Sequence, residues 1–392
     1  MSQSVYVWQR DWNTRVVDAL ETRGSQFSAV VVLSSEIGWT KSGPETVRVP
    51  VQWKALKALN RPIGAALRVG SLPGILSPGS KEFHQVRGEL EHIQSEAVSN
   101  GVRLAELHLD FDSTEQQLPG YGEWLRALKD DFRDCRLAFT ALPAWLRRAE
   151  FPAVAASADG YILQVHSFAR PKNYAEDFSL CNPLLAESAV NRAAALGFPF
   201  TIALPSYGYS VAFDPAGNYL GISAESDRDW PAGSRLKEIR ASPRELSVLV
   251  TRWQRLAPPH CQGIIWYRLP VPGDRRNWSW PTLQSVMRGE TPAPVVQLSM
   301  IWRDSGLVEF QLGNTGQDET YLTGKVVLKW SGARLLAGDA LRGFELIDSE
   351  PGHAQFLPSQ SPPLILKPGD RAPVGWLRFS NKVQLHEEWQ SP

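Results

Sequence analysis

The sequence predicts an α/β protein, a (β/α)8 TIM barrel followed by a C-terminal all-β sandwich, on three observations. Eight short segments rich in β-branched and aromatic residues alternate with helical patterns through residues 1–290. Beyond the Thr-Pro-Ala-Pro stretch at 291–294 the helical periodicity stops, and short strand-like runs with turn residues between them take over. No glycine-rich phosphate loop follows any strand, which removes the strongest support for the alternative, an open doubly wound sheet. The expected domains are the barrel over 1–290 and an accessory sandwich of immunoglobulin or fibronectin type over 291–392.

The predicted barrel strands are residues 4–10, 27–35, 63–69, 103–111, 136–142, 160–166, 200–205 and 263–268. Helices are predicted at 14–22, 51–59, 81–99, 121–132, 183–196, 243–256 and 282–288. The clearest is 81–99, where Phe83, Val86, Leu90, Ile93 and Ala97 recur three or four apart and Asn100-Gly101 stops the run. Between strands five and six, around 151–156, the helical signal is weak. Seven strands are predicted in the sandwich, with Gly-Asn-Thr-Gly (313–316) and Lys-Pro-Gly-Asp (367–370) as turns.

Composition narrows the function. Lys and Arg number 41 and Asp and Glu number 41, so the chain lacks the basic excess that nucleic acid would call for, and a carbohydrate or other neutral small ligand is the expected partner. Trp is abundant at 15 of 392 residues, and aromatic faces stack on sugars. Cys135, Cys181 and Cys261 fit neither a disulfide framework nor a zinc motif, and no oxygen-rich calcium loop is present, so neither metal nor other cofactor is expected. No run approaches the roughly 18 apolar residues of a membrane span, and the opening MSQSVYVWQRDW lacks the features of a signal peptide. The expectation is a soluble, cytoplasmic chain, although the mature form of an exported protein would read the same way. Oligomeric state is not legible.

In such a barrel the functional groups gather at the C-terminal strand ends, and inward side chains alternate with those facing the helices. Strand four, GVRLAELHLDFDS, places His108, Asp110 and Asp112 on one face and Leu107, Leu109 and Phe111 on the other. Polar groups on an inward face are costly unless paired or at the mouth, and two acids two residues apart disfavour joint ionisation, so one could keep a proton and act as an acid. Glu36 after strand two, Arg68 in strand three, Thr140 in strand five, Gln164 and His166 in strand six, and Tyr207 and Tyr209 past strand seven are further candidates. Trp266 and Arg268 share one parity of strand eight, as Trp8 and Arg10 share one of strand one.

Strand four ending LHLDFD, then GYILQVHSF, TIALPSYGYSVAFD and GIIWYRLP resemble, in this order, the barrel of the family 18 chitinases. Leu204-Pro205-Ser206-Tyr207-Gly208 is similar to the stretch those enzymes carry on strand seven, followed by an insertion, here 213–234. More closely, YVWQRDW, the DFD motif, TALPAW and LQVHSF resemble a bacterial family, the domain of unknown function 3142, over about the first 290 residues. The chitinase motif runs Asp-x-Asp-x-Glu, with the Glu as acid and the middle Asp orienting the substrate. In one register Asp112 takes the acid's place, Asp110 orients and His108 replaces the first Asp; in the other the acid's place falls on Thr114. Either way the Glu is missing, so substrate-assisted chitinase chemistry is not supported. Three readings stand: a glycosidase with another carboxylate pair such as Asp112 with Glu36, a non-catalytic carbohydrate-binding protein on a degenerate barrel, and a structural or partner-binding module.

Overall fold

A computed structural model of the chain describes residues 1–392 except 41–42, 73, 112, 167–170, 177, 224–228, 362 and 392. The chain divides into two compact units, residues 1–278 with 287–289 and residues 279–286 with 290–392.

In the first unit eight parallel strands are β1 (Ser2–Val7), β2 (Val30–Thr40), β3 (Ile63–Val69), β4 (Glu106–Phe111), β5 (Arg136–Ala141), β6 (Gly160–Gln164), β7 (Phe200–Pro205) and β8 (Cys261–Tyr267). Each pairs with its successor, and β1 pairs with both β2 and β8, which closes the barrel. The helices between them are α1 (Thr14–Arg23), α2 (Trp53–Ala58), α3 (Lys81–Ser99), α4 (Leu118–Asp131), α5 (Phe151–Ala156), α6 (Pro183–Leu196) and α7 (Pro243–Arg255). Local chemistry sets their ends. Ser80 accepts from the Phe83 N–H to start α3, Asn182 accepts from Leu184 and Leu185 to start α6, and Gly197 closes α6 at φ +80, a conformation that favours glycine.

The outward faces of the middle strands pack under the helices through aromatic rings. Phe111 of β4 meets Tyr121 and stacks on Trp124 of α4, with centroids at 5.2 and 5.9 Å. Phe139 meets Tyr161, and Tyr161 in turn meets Phe200, which carries the layer round to β7. Much of the tryptophan and tyrosine content is therefore core.

Three stretches differ from the sequence expectation. β2 runs to Thr40 and turns into an antiparallel hairpin with Gly43–Arg48, so Glu36 lies inside a strand, in register with Arg68 of β3, rather than after it. The weak stretch at 151–156 is helix α5, too short at six residues to show periodicity. The insertion after β7 forms a three-stranded antiparallel sheet in which Gly208–Phe213 lies between Tyr219–Ser223 and Arg235–Arg240.

The second unit opens with a helix, Trp280–Met287, and is otherwise antiparallel β. One sheet orders Val296–Trp302, Leu307–Asn314, Arg371–Phe379 and Leu335–Ala340; the other orders Phe344–Glu350, His353–Pro358, Lys325–Ser331 and Gln384–Gln390. Leu307–Asn314 alternates buried and half-buried residues, and its Phe310 meets Phe356 of the other sheet at 5.7 Å in a shared core. Leu335–Ala340 escapes sequence reading because its β-poor residues are exposed or only half-buried, and Gln384–Gln390 because one of its faces is polar and solvated. Among the described residues no helix is long and apolar enough to cross a membrane.

A buried carboxylate ties α3 to the β2 hairpin. Glu89, 2% exposed, accepts from Ser35 at 2.6 Å and from both Nε and Nη2 of Arg48 at 3.0 and 2.9 Å. Burial pushes this carboxyl up, but Arg48 and Ser35 outweigh it and hold the pKa below the usual range. A depressed carboxylate pKa adds stability that is present above the unfolded-state value, near pH 4.3, and is lost as pH falls through the folded-state value. Glu89→Gln is expected to cost about 2 kcal/mol in urea unfolding at pH 7, and the gap to wild type should close below pH 4.

Candidate functional site

Side chains from seven of the eight strands, or from the residues just past them, converge at the C-terminal mouth of the barrel on a cavity of about 180 Å3. Tyr6 and Trp8 come from the β1 end, Arg68 from β3, Asp110 from β4, Thr140 from β5, Gln164 and His166 from the β6 end, Tyr207 from beyond β7 and Tyr267 from β8. Asp110 is the one carboxylate among the described lining residues. The aromatic wall is continuous, with Tyr267 5.2 Å from Trp8, 5.1 Å from Tyr207 and 6.1 Å from Tyr6 between ring centroids. The peptide joining Tyr267 to Arg268 is cis.

Beneath the cavity runs a polar column along the inner face of β4. Glu106, His108 and Asp110 share that face, while Leu107, Leu109 and Phe111 face the helices. His108 is 1% exposed and uses both ring nitrogens, Nδ1 at 2.7 Å from the Tyr6 hydroxyl and Nε2 at 2.8 Å from Glu106. Burial pushes Glu106 up, but His108 and Arg136 outweigh it and hold its carboxyl low, so it accepts from Nε2–H, while Nδ1 makes its hydrogen bond with the Tyr6 hydroxyl. Burial first, then the charges of Asp110 and Glu106, push the Tyr6 hydroxyl well above the ordinary tyrosine range, so it stays a donor.

The remaining polar groups around the mouth are held in defined states. Glu36 accepts two parallel hydrogen bonds of 2.7 Å from Nε and Nη2 of Arg10, and Nη1 of Arg68 stands 3.6 Å away. His166, 4% exposed, is pushed down to about 3 by burial and is neutral at physiological pH. Tyr207 is pushed up to about 12 by burial, with Arg268 and Arg68 opposing. Burial likewise raises the thiols of Cys135 and Cys181 to about 12 and that of Cys261 to about 11. Among the described residues no three His, Cys, Asp or Glu side chains are placed to hold a metal ion.

Of the residues singled out from sequence, Trp8, Arg68, Asp110, Thr140, Gln164, His166 and Tyr207 line the cavity. The others sit elsewhere. His108 is sealed beneath it by its two partners. Trp266 points to the other side of β8, donating to Gln3 at 2.8 Å and packing on Trp278. Tyr209 lies on the inserted sheet behind Tyr207, with ring centroids at 5.7 Å. Arg268 is 3% exposed, donates to Asp274 at 2.6 Å and lines a neighbouring cleft instead. Glu36 is clamped by Arg10 and is not among the cavity-lining residues. Asp112 lies outside the described residues. Tyr6 and Tyr267 were missed; Tyr6 shares the parity of Trp8 two residues on and could have been found, whereas Trp266-Tyr267 offers an aromatic at either parity.

The family described as a domain of unknown function (DUF3142) matches residues 60–272, more than half of the chain. No curated protein matches. Among solved structures, the chitinase from Chromobacterium violaceum ATCC 12472 is similar at 15% identity and a TM-score of 0.50, over 74% of this chain and 98% of that one. The Bacillus cereus spore cortex-lytic enzyme SleL is similar at 11% identity and a TM-score of 0.52, over 74% of each chain. The C-terminal domain of a putative chitinase from Desulfitobacterium hafniense DCB-2 is similar at 9% identity and a TM-score of 0.50, over 73% of this chain and 99% of that one. At these identities the likeness shows the fold, a chitinase-like TIM barrel.

Two measurements check the site's geometry. Tyr6→Phe strips His108 Nδ1 of its buried partner and is expected to cost about 1–3 kcal/mol of stability. His166, with a folded-state pKa below its unfolded value near 6.5, withdraws stability as pH falls from about 6.5 towards 3. Its ring resonances should not titrate between pH 8 and 5, and His166→Gln should flatten the stability profile over that window. With the barrel, its mouth and the matched residues in view, the chain belongs to the DUF3142 family, on a barrel of the chitinase-like kind.

Proposed function

We propose that the protein is glycoside hydrolase-like and takes a carbohydrate into the mouth cavity, working on it through Asp110. The observation that supports this most is the lining itself: one carboxylate among four aromatic rings, with Gln164, Thr140 and Arg68 as hydrogen-bonding groups. Aromatic faces give a pyranose ring its apolar contact, and a few placed polar groups orient its hydroxyls. Tyr6 and Tyr207 remain protonated and His166 neutral across physiological pH, so among these groups proton transfer falls to a carboxylate. At about 180 Å3 the cavity suits one sugar unit rather than a run of them. The likeness to chitinases and to a cortex-lytic enzyme supports the same ligand class.

A second reading, carbohydrate binding without turnover, is favoured by Glu36. Hydrolysis by the usual routes takes two carboxylates flanking the bond, and Glu36 is occupied by Arg10 with Arg68 beside it. Asp112 is the other acid the sequence offers.

The deciding experiment runs wild type, Asp110→Asn and Asp112→Asn on a broad panel of glycosides and polysaccharides, with glycan binding measured alongside and circular dichroism confirming the fold. The expected result is turnover by wild type that falls about 10²-fold or more in Asp110→Asn. Binding without turnover on any substrate would put the second reading first. Neither binding nor turnover would leave a structural or partner-binding module.

A further inference from the structure

Beside the cavity lies a larger cleft of about 520 Å3, built by the loop after β1, the first turn of α1, the loop after β8 and Glu238 of the inserted sheet. Its lining carries five arginines, Arg10, Arg15, Arg268, Arg275 and Arg276, and three carboxylates, Asp11, Glu238 and Asp274. The pairing is unequal. Arg10 is committed to Glu36 and Arg268 to Asp274. Glu238 accepts from Arg240 at 3.2 Å and Asp11 from the Asn13 amide at 2.9 Å. Among the described residues, Arg15 and Arg275 make no ion pair.

One local feature runs against helix stability. Arg15 sits in the first turn of α1, where the helix's own positive end disfavours a cation, and no acidic residue in that turn compensates. Gly273, at φ +88, takes the opposite loop through a turn that favours glycine and passes close to Nη1 of Arg15. Local conflicts of this kind concentrate at functional sites. The cleft also adjoins the cavity in sequence. The chain passes from Trp8 in the cavity to Arg10 in the cleft within two residues, about 7 Å of extended backbone, and from Tyr267 to Arg268 in one.

We infer that this cleft is a subsite for an oxyanion carried by the sugar, so that the carbohydrate is acidic, with Arg15 and Arg275 as the recognition residues. Guanidinium forks match the planar carboxylate of a uronic acid and the oxygens of a sulfate or phosphate ester. The inference rests on the carbohydrate reading above. It departs from the neutral ligand expected from the balanced composition.

The test is calorimetric titration of wild type, Arg15→Gln/Arg275→Gln and Asp110→Asn. Oligogalacturonate is compared with its carboxyl-reduced counterpart, and dextran sulfate with dextran, with circular dichroism confirming the fold. An acidic glycan is expected to bind at least about ten-fold more tightly than its neutral counterpart, and the double variant to lose that margin. Preference for oligogalacturonate alone would name the carboxylate, and for dextran sulfate alone the sulfate. If neutral glycans bind through Asp110 and the acidic ones gain nothing, or if the double variant keeps the margin, this inference falls while the carbohydrate reading stands. If no glycan of either charge binds, both fall.

Discussion

A closed parallel barrel leaves the inner face of every strand without water, so each polar side chain pointing inward must either find a partner or reach the mouth. β4 meets that constraint in three ways along one face. Glu106 lies near Arg136 with its other oxygen on His108, His108 spends both nitrogens on Glu106 and Tyr6, and Asp110 opens into the cavity. The column decides where chemistry can occur. His108 cannot meet a ligand without breaking a buried hydrogen bond, whereas Asp110 meets one by default. The strand thus acts as a polar post whose lower part is structural and whose top is functional.

Around that post, Arg68 apart, the mouth is built from groups that donate and accept without ionising. Burial keeps His166 neutral and the Tyr6 and Tyr207 hydroxyls protonated, while Glu36 has its charge answered by Arg10 and Arg68. Such a lining suits a hydroxyl-rich ligand and leaves little besides Asp110 to move a proton. This is also where the chain parts from the enzymes whose barrel it shares. Their strand-four motif ends in a glutamate, and the described part of this mouth offers one shorter carboxylate whose neighbours are tyrosines and arginine rather than a second acid.

The barrel was legible because its signal is redundant. Eight strand and helix patterns had to agree, and the loss of any one, such as the short α5, left the count intact. Parity succeeded on β4 because three polar and three apolar residues alternate there without exception. It misplaced β8 because Trp266 and Tyr267 are both amphipathic aromatics, and what separates them is a hydrogen bond to Gln3 and a packing partner in Trp278, neither visible in the strand itself. Glu36 was misread for a related reason. Its environment is set by Arg10, 26 residues away, and by a hairpin extension of β2 that strand propensity alone does not bound. Pairing partners brought together by closure are non-local, and a single sequence carries no register.

Net charge shows the same limit from another side. Equal numbers of acids and bases exclude a strongly charged molecule, yet they say nothing about how charges are apportioned within it. Pairing two arginines of the mouth with Glu36 and Asp274 consumes carboxylates as well as cations, so a neutral total is compatible with a cleft in which Arg15 and Arg275 remain for a ligand. The division of labour then follows the mechanics of the fold. Groups that need fixed geometry stand on strand ends, where the ladder holds them, and groups that select a ligand stand in the first turn of α1 and on the loop after β8, which can vary without disturbing the barrel. Chemistry on β4 and recognition beside β1 and β8 are therefore separable, because the strands between them share a ladder while their loops do not.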